Sequence, residues 1–524
     1  MAIRVFDGLG VLVVAAWIGC MALLAVHDFG LIAPERIELS SEELAAGFRE
    51  GEEWQGIYLK DQKVGYMRLR KKRLSDGRYH MENRMVLHMT VMKTRQRIVT
   101  DFQGTLTPDL VLRDFEMEVD SGPAHMNISG QVEGTRATLQ ISSAGDRQTE
   151  VLDLKEPPRM SFSLGAVMSQ RELVPGEEMS FTFFDPTALT EREVKVTYIG
   201  REELVIMGKA IEAYRLQQTM SGMTFNLWTN AIGEVLREDL PMGLWAMRES
   251  EAEARYGVTT GTVATTDDVV DAVAVKPKGE HVVVGAPEAT LELSGLNFDG
   301  FDLDGGRQRW TVLEKNAQGV PIRGRLDLKV ESLAPLSGQS LSELRTKAAQ
   351  QPELAPFLRP EMMVQSEHAE IVNRSGRILS KVEDDRALTA VEAIAGWVYT
   401  SLKKESVVGV PSALETLRNR RGDCNEHATL AVALLRQAKI PARLAVGLAY
   451  LSSQQRFFYH AWVEVWAGPE GWIAIDPTFG QTPADIGHVR FVSGGLRDQV
   501  EMFRVIGQLS MTNKPQHRTI PAAQ

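Results

Sequence analysis

Cysteine is nearly absent from this chain: Cys20 and Cys424 are the only two among 524 residues. Cys20 sits inside an apolar N-terminal run, so an internal disulfide between the pair is implausible, and cysteine usage does not name a compartment. Proline and glycine, 22 and 44 residues, are not in excess, which excludes a low-complexity or disordered chain. Positive charge is also short. The 58 Lys and Arg stand against 69 Asp and Glu for a net charge of -11, and they are scattered, so no DNA or RNA partner is expected. No cofactor motif occurs, and no set of four ligands has zinc-site spacing.

What is present begins with GLGVLVVAAWIGCMALLAV, Gly8 to Val26, a run without charge. It is long enough to cross a bilayer as one helix and too long for a typical signal-peptide core, so a retained membrane anchor over residues 1–35 is expected. Arg4 and the amino end precede it, while Asp28 and Glu35 follow, a weak bias toward a cytoplasmic N-terminus. The bulk of the chain would then lie outside the inner membrane, periplasmic or extracytoplasmic. WIGC at Trp17–Cys20 makes a poor lipoprotein cleavage site, because Trp17 stands where a small aliphatic residue is wanted.

The length allows about three domains. Residues 50–257 read as an antiparallel β domain: GIYLKDQKVGYMRL, HMENRMVLHMTV and TFNLWTNAIGEVLRED alternate apolar and polar residues between turn signals. Residues 258–280 read as a linker, 281–375 as a smaller β-rich domain, 376–500 as a mixed domain, and 501–524 as a tail. Within the small domain, Asp302 and Asp304 before Gly306 suggest a calcium loop. The twelfth position counted from Asp302 is Leu313, though, so ordinary turn aspartates are the better account and no metal is expected. In the mixed domain, Ala387, Val391, Ile394, Val398 and Leu402 set an amphipathic helix over Asp384–Glu405.

RRGDCNEHATLAVALLRQ, from Arg420, carries the chemistry. Asp423 and Glu426 have capping-box spacing ahead of an apolar helical pattern, which makes Cys424 the first helical residue. Unpaired amides and the helix dipole there favour an anion, so a lowered thiol pKa is expected. Downstream, FFYHAWVEVWAGPEGWIAIDPTFG reads as a hairpin about Gly468–Gly471. His460, Trp462, Glu464 and Trp466 share one face of its first strand. Folding back sets His460 opposite Asp476 or one diagonal away, roughly 5 to 8 Å between Cβ atoms. Asp476 would then orient the imidazole and leave its other nitrogen for Cys424, the logic of nucleophile, base and orienter. His427 could join Cys424 and Glu426 around a metal, but helix placement explains it equally; His488 and Thr478 are candidates to line the cleft.

The GDC at a helix start, the strand HAWVE and the DPT after the turn together resemble the transglutaminase-like cysteine enzymes, a superfamily related in fold to papain-like proteases. The resemblance covers about Ala387 to Phe491. It implies Cys424 as nucleophile, His460 as general base, Asp476 as orienter and a thioester formed with an amide carbonyl. The backbone amide of Cys424 is the candidate oxyanion donor.

The expected architecture is α+β: an N-terminal transmembrane helix, two β domains and a transglutaminase-like domain. The expected function is an anchored hydrolase, a protease or amidase, acting on protein or peptide substrates of the cell envelope. Water is the expected acceptor because it needs no second pocket. Amine-transferring cross-linking and a non-catalytic envelope binding or assembly protein are the alternatives.

Overall fold

The computed structural model describes residues 35–36, 48–91, 94–121, 125–143, 146–159, 173–185, 190–220, 223–258, 273–405, 412–494, 500–505 and 507–514. Alternation along the first half of the chain is converted into strands. His125–Glu133 buries every second residue, and the neighbouring segments do the same around turns with positive-φ glycine such as Gly77 and Gly134. The product is one 15-stranded sheet, antiparallel throughout from Gly51 to Glu249 apart from shifts of register. The two-residue strand Glu35–Arg36 adds to its edge in parallel. The longest member, Thr190–Ile206, runs 17 residues, and a bulge between Tyr198 and Gly200 breaks its register.

This corrects the expected fold class. The molecule is mostly β rather than α+β, because strands of 5 to 17 residues fill the first half from Gly51 to Glu249 while helices of five residues or more are concentrated between Leu341 and Gln437. The transmembrane helix is likewise not found: no helix among the described residues is long and apolar enough to cross a membrane. The run Gly8–Val26 from which it was inferred lies outside the described residues. Apolar length alone had motivated that helix, with no packing partner to support it.

The second half is built on two smaller sheets that share one core. A five-stranded sheet runs in the order Lys278–Gly279, Ser510–Lys514, Glu288–Ser294, Pro321–Lys329, Gln308–Lys315. Its second strand comes from the segment read as a tail. A four-stranded sheet orders Trp472–Ile475, Arg456–Trp466, Ala442–Leu451 and His488–Ser493. One apolar cluster extends from Val275 and Leu291 through Ile394 and Leu434 to Phe491 and Met511, so the small sheet and the site-bearing domain bury their faces together. Val275, in the segment read as a linker, exchanges backbone hydrogen bonds with Phe457.

Asp302 and Asp304 serve this junction. Asp302 pairs with Arg490 at 3.1 Å, and the Asp304 carboxylate accepts from the Trp310 amide at 3.1 Å. Arg490 in turn meets Glu464 at 2.6 Å, both side chains 2% exposed, and Arg443 takes the other Glu464 oxygen at 2.7 Å. Burial would raise the Glu464 carboxyl, but the two guanidiniums outweigh it and hold it below the usual carboxylate range.

Candidate active site

The helix Cys424–Gln437 starts as its sequence requires. Asp423 is the N-cap: its Oδ1 accepts from the Asn425 amide at 3.0 Å, and the Glu426 Oε2 accepts from the Asp423 amide at 2.8 Å. Gly422 permits this, since a Cβ there would come within 2.3 Å of the Glu426 Cβ. The helix of Ala387–Ser401 packs behind it, burying Ala387, Val391, Ile394 and Val398 as its spacing predicts; Leu402 caps its C-terminus. Lys403 and Lys404 leave that helix and pair in parallel with Arg421 and Gly422, which fixes the approach to the cysteine.

Cys424 is buried, 4% exposed, against the strand that carries His460. Its sulfur shares a hydrogen bond with the backbone of Ala461, the residue after His460. Burial pushes the thiol well above the ordinary thiol range; the Asp423 charge, then Glu426 and Asp476, add to this, and the Ala461 bond opposes it. The expected lowering is therefore reversed. The helix N-terminus stabilises an anion only modestly, and here it competes with complete desolvation and three carboxyl groups.

The hairpin behaves as its alternation predicts. Val463 faces Ile475 and Trp466 faces Trp472, so one further step sets Asp476 opposite Trp462 and diagonal to His460. His460 Nε2 donates to Asp476 Oδ2 at 2.7 Å. The opposite side of the strand leaves no room for a side chain: Gly447 faces His460, and a Cβ on it would meet the Val489 carbonyl oxygen at 2.0 Å. Phe479 lies flat on the His460 ring, centroids 4.4 Å apart, and Trp462 stacks beyond it at 6.2 Å.

Asp476 is fully enclosed. Its Oδ1 accepts the backbone amides of Thr478 at 2.6 Å and Phe479 at 3.0 Å, a turn around the carboxylate that the following Pro477 helps to set. Its Oδ2 accepts from His460 and also from His488 Nε2 at 3.0 Å. Burial would raise this carboxyl, but the charges and hydrogen bonds of the two imidazoles outweigh it and hold it far below its usual range.

The sequence reading placed His488 and Thr478 only as candidates to line the cleft. The structure gives His488 a definite place, with Nε2 on Asp476 and Nδ1 3.1 Å from Asp485 Oδ1. The available signal was the three-residue spacing of Asp485 and His488 at the start of a strand. Asn425, which accepts from the Tyr459 hydroxyl at 3.0 Å, and Phe479 were not singled out at all. Thr478 acts through its backbone.

His427 does not form a metal set with Cys424 and Glu426. Its Nδ1 donates to the Asp423 carbonyl at 2.6 Å, and burial lowers its pKa to about 4, so the ring is neutral. Among the described residues, His460, Asp476 and His488 form a group whose candidate ligand atoms lie within 4.8 Å of one another. The hydrogen bonds just described already engage those atoms, and they account for the convergence.

Comparison with known proteins adds to this geometry. A Pseudomonas aeruginosa protein, protein-glutamine gamma-glutamyltransferase, is 38% identical over 76 residues, 13% of this chain and 11% of its own length. The chain thus spans about a tenth of that relative. A solved structure of a candidate cysteine protease from Cytophaga hutchinsonii is 18% identical, with a TM-score of 0.29 over 46% of this chain and 85% of its own. A β-barrel-like protein of unknown function from Brucella abortus is 12% identical, with a TM-score of 0.29 over 38% of this chain and 94% of its own. Residues 373–477 match the transglutaminase-like superfamily and enclose Cys424, His460 and Asp476. The C-terminal half of this chain carries a transglutaminase-like domain.

Proposed function

We propose that this protein is a cysteine acyl-transfer enzyme that cleaves amide bonds of protein or peptide substrates, with Cys424 as nucleophile, His460 as general base and acid, and Asp476 as orienter. The observation that carries this reading is the buried 2.7 Å bond from His460 Nε2 to Asp476, on the strand whose next residue hydrogen bonds the Cys424 sulfur. The bond commits Nε2 and leaves Nδ1 for the thiol.

Because the resting thiol is held protonated, sulfur attack and proton transfer to His460 proceed together. The sulfur bonds to the amide carbonyl carbon while its proton passes to Nδ1, and the oxyanion falls to the Cys424 amide. The amine leaves with that proton, forming the thioester. Water then gives a proton to His460, attacks the thioester and regenerates the thiol. Hydrolysis is preferred because water needs no pocket of its own. Amine transfer is the second reading, favoured by the activity in the name of the Pseudomonas aeruginosa relative.

The test uses casein with dansylcadaverine. Hydrolysis is expected to release ammonia or peptide fragments without covalent label; attached label would establish transfer. Cys424→Ala is expected to lower either rate by at least about 10³-fold. Turnover that persists in Cys424→Ala sinks the proposal.

A further inference from the structure

His488 is not needed for a cysteine, histidine and aspartate mechanism, yet it lies deeper in the site than His460. It is 1% exposed and touches the same atom, Asp476 Oδ2, at 3.0 Å that His460 touches at 2.7 Å. Its other nitrogen lies 3.1 Å from Asp485 Oδ1. Both ring nitrogens thus face carboxylate oxygens, which accept only, and a ring that donates from both is an imidazolium. The groups facing it are Asp476 from the end of the hairpin, Asp485 from the loop before its own strand, His460 from the neighbouring strand, and Arg307 from the small domain. Trp462 and Phe479 close the remaining sides edge-on.

We propose that His488 is a positioning residue of this site: it fixes the Asp476 carboxylate through a second bond to Oδ2 and places an imidazolium there, which tempers the basicity of His460. The proposal rests on the function proposed above. A carboxylate that served His460 alone would hold the imidazolium more tightly and make it a slower proton donor to the leaving amine. Dividing one oxygen between two imidazoles weakens that hold, and Asp485 anchors the second ring from outside. The chain of contacts runs Asp485, His488, Asp476, His460, and the residue after His460 hydrogen bonds the Cys424 sulfur.

The experiment follows the titration of His460 by ¹⁵N NMR in the full chain labelled at histidine, with resonances assigned by single His→Gln variants. H488Q keeps a donor toward Asp476 and removes the positive charge. The His460 midpoint is expected to rise by about one pH unit, with the acid limb of kcat for casein cleavage moving by the same amount and KM unchanged. His488→Ala, which also removes the donor, is expected to lose a further 10- to 100-fold in kcat, the range seen when an orienting partner of a site residue is removed. A folded H488Q protein whose His460 midpoint is unmoved overturns the proposal.

Should H488Q fail to fold, Asp485→Asn gives the second measurement. It loosens the outer anchor, and a smaller rise is expected in the same direction; no change overturns the proposal. The NMR midpoint does not depend on turnover. Absence of cleavage with a shifted midpoint therefore sinks the proposed function and leaves the coupling, while cleavage with an unmoved midpoint does the reverse.

Discussion

The two halves of this molecule differ in how their charged residues are connected. In the large sheet, ion pairs lie across neighbouring strands on the wet face: Arg68 and Glu82 meet at 3.2 Å with side chains 28% and 33% exposed, and Lys195 and Glu178 meet at 2.6 Å with 42% and 39%. In the C-terminal half, Arg490, Glu464 and Arg443 form a buried chain, and a second buried chain joins Asp485, His488, Asp476 and His460. An exposed pair gains little, because water serves each partner almost as well. A buried pair has lost that alternative, so each member depends on the other. The comparison teaches that pairs such as Arg68–Glu82 decorate the sheet, whose buried pairs such as Arg192–Asp185 stay within it, whereas the buried chains of the second half fix where distant elements sit.

The largest expected effect tests that dependence directly. Glu464→Ala leaves the mostly buried Arg443 without its carboxylate and Arg490 with Asp302 alone, and a loss of about 3 to 5 kcal/mol is expected for the C-terminal half, enough to shift its urea midpoint strongly. Because Arg490 also holds Asp302, the small sheet should loosen in the same transition. Two separate transitions in the variant, or a loss under about 1 kcal/mol, would break the contrast between the halves.

A second, smaller effect is a pair of opposed pH responses. Burial lowers the His427 pKa to about 4, from an ordinary histidine value near 6.5. Above that ordinary value neither state binds the proton. As pH falls from about 6.5 toward 4 the unfolded chain takes it up and the folded protein refuses it, so up to about 3 kcal/mol is lost across this window. In the large sheet, burial pushes Glu238 up to about 7, with Gln55 opposing and Glu53 adding. Here the folded state holds the proton more tightly, so stability is fully present below about 4.5 and is lost as pH rises to about 7. Thermal melts of His427→Gln and Glu238→Gln against the parent are expected to differ in opposite senses: the first variant gains on acidification, and the second gains on going to pH 8. Curves that run parallel to the parent would refute the assigned groups.

Much of the site was legible because it rests on local rules. A capping box places Cys424, and period-two alternation with an even-summed turn places His460 and Asp476 on one face. Those rules need only neighbours in sequence. What was not legible depends on distant segments. The thiol's raised pKa comes first from burial under the packed domain, with the charges of Asp423, Glu426 and the distant Asp476 adding to it, at a helix end read for its dipole alone. The ion pair of Asp302 spans 188 residues to Arg490, so a short acidic turn looked like a loop feature. Ser510–Lys514 is polar enough to pass for a tail, yet its backbone completes a sheet that begins at Lys278. The fold class was misread for a related reason: the helices carry strong periodic signals, while the long hairpins between them and the N-terminus hold more residues.

The smallest expected effect is the control for the whole comparison. Glu82 lies on the open face of the large sheet with Arg68 at 3.2 Å, Arg70 at 4.0 Å and His80 at 3.7 Å around it. Removing it in Glu82→Ala leaves three basic groups that water can reach, so the change in stability is expected to stay within about 1 kcal/mol and to vanish at high salt, where a screened pair contributes nothing. The same salt series should leave the Glu464→Ala deficit nearly intact, since ions do not enter a cluster of which Glu464 and Arg490 are each only 2% exposed. A salt-insensitive loss at Glu82 would make the exposed pairs of the sheet behave as buried ones, and the contrast between the exposed pairs and the buried chains would fall.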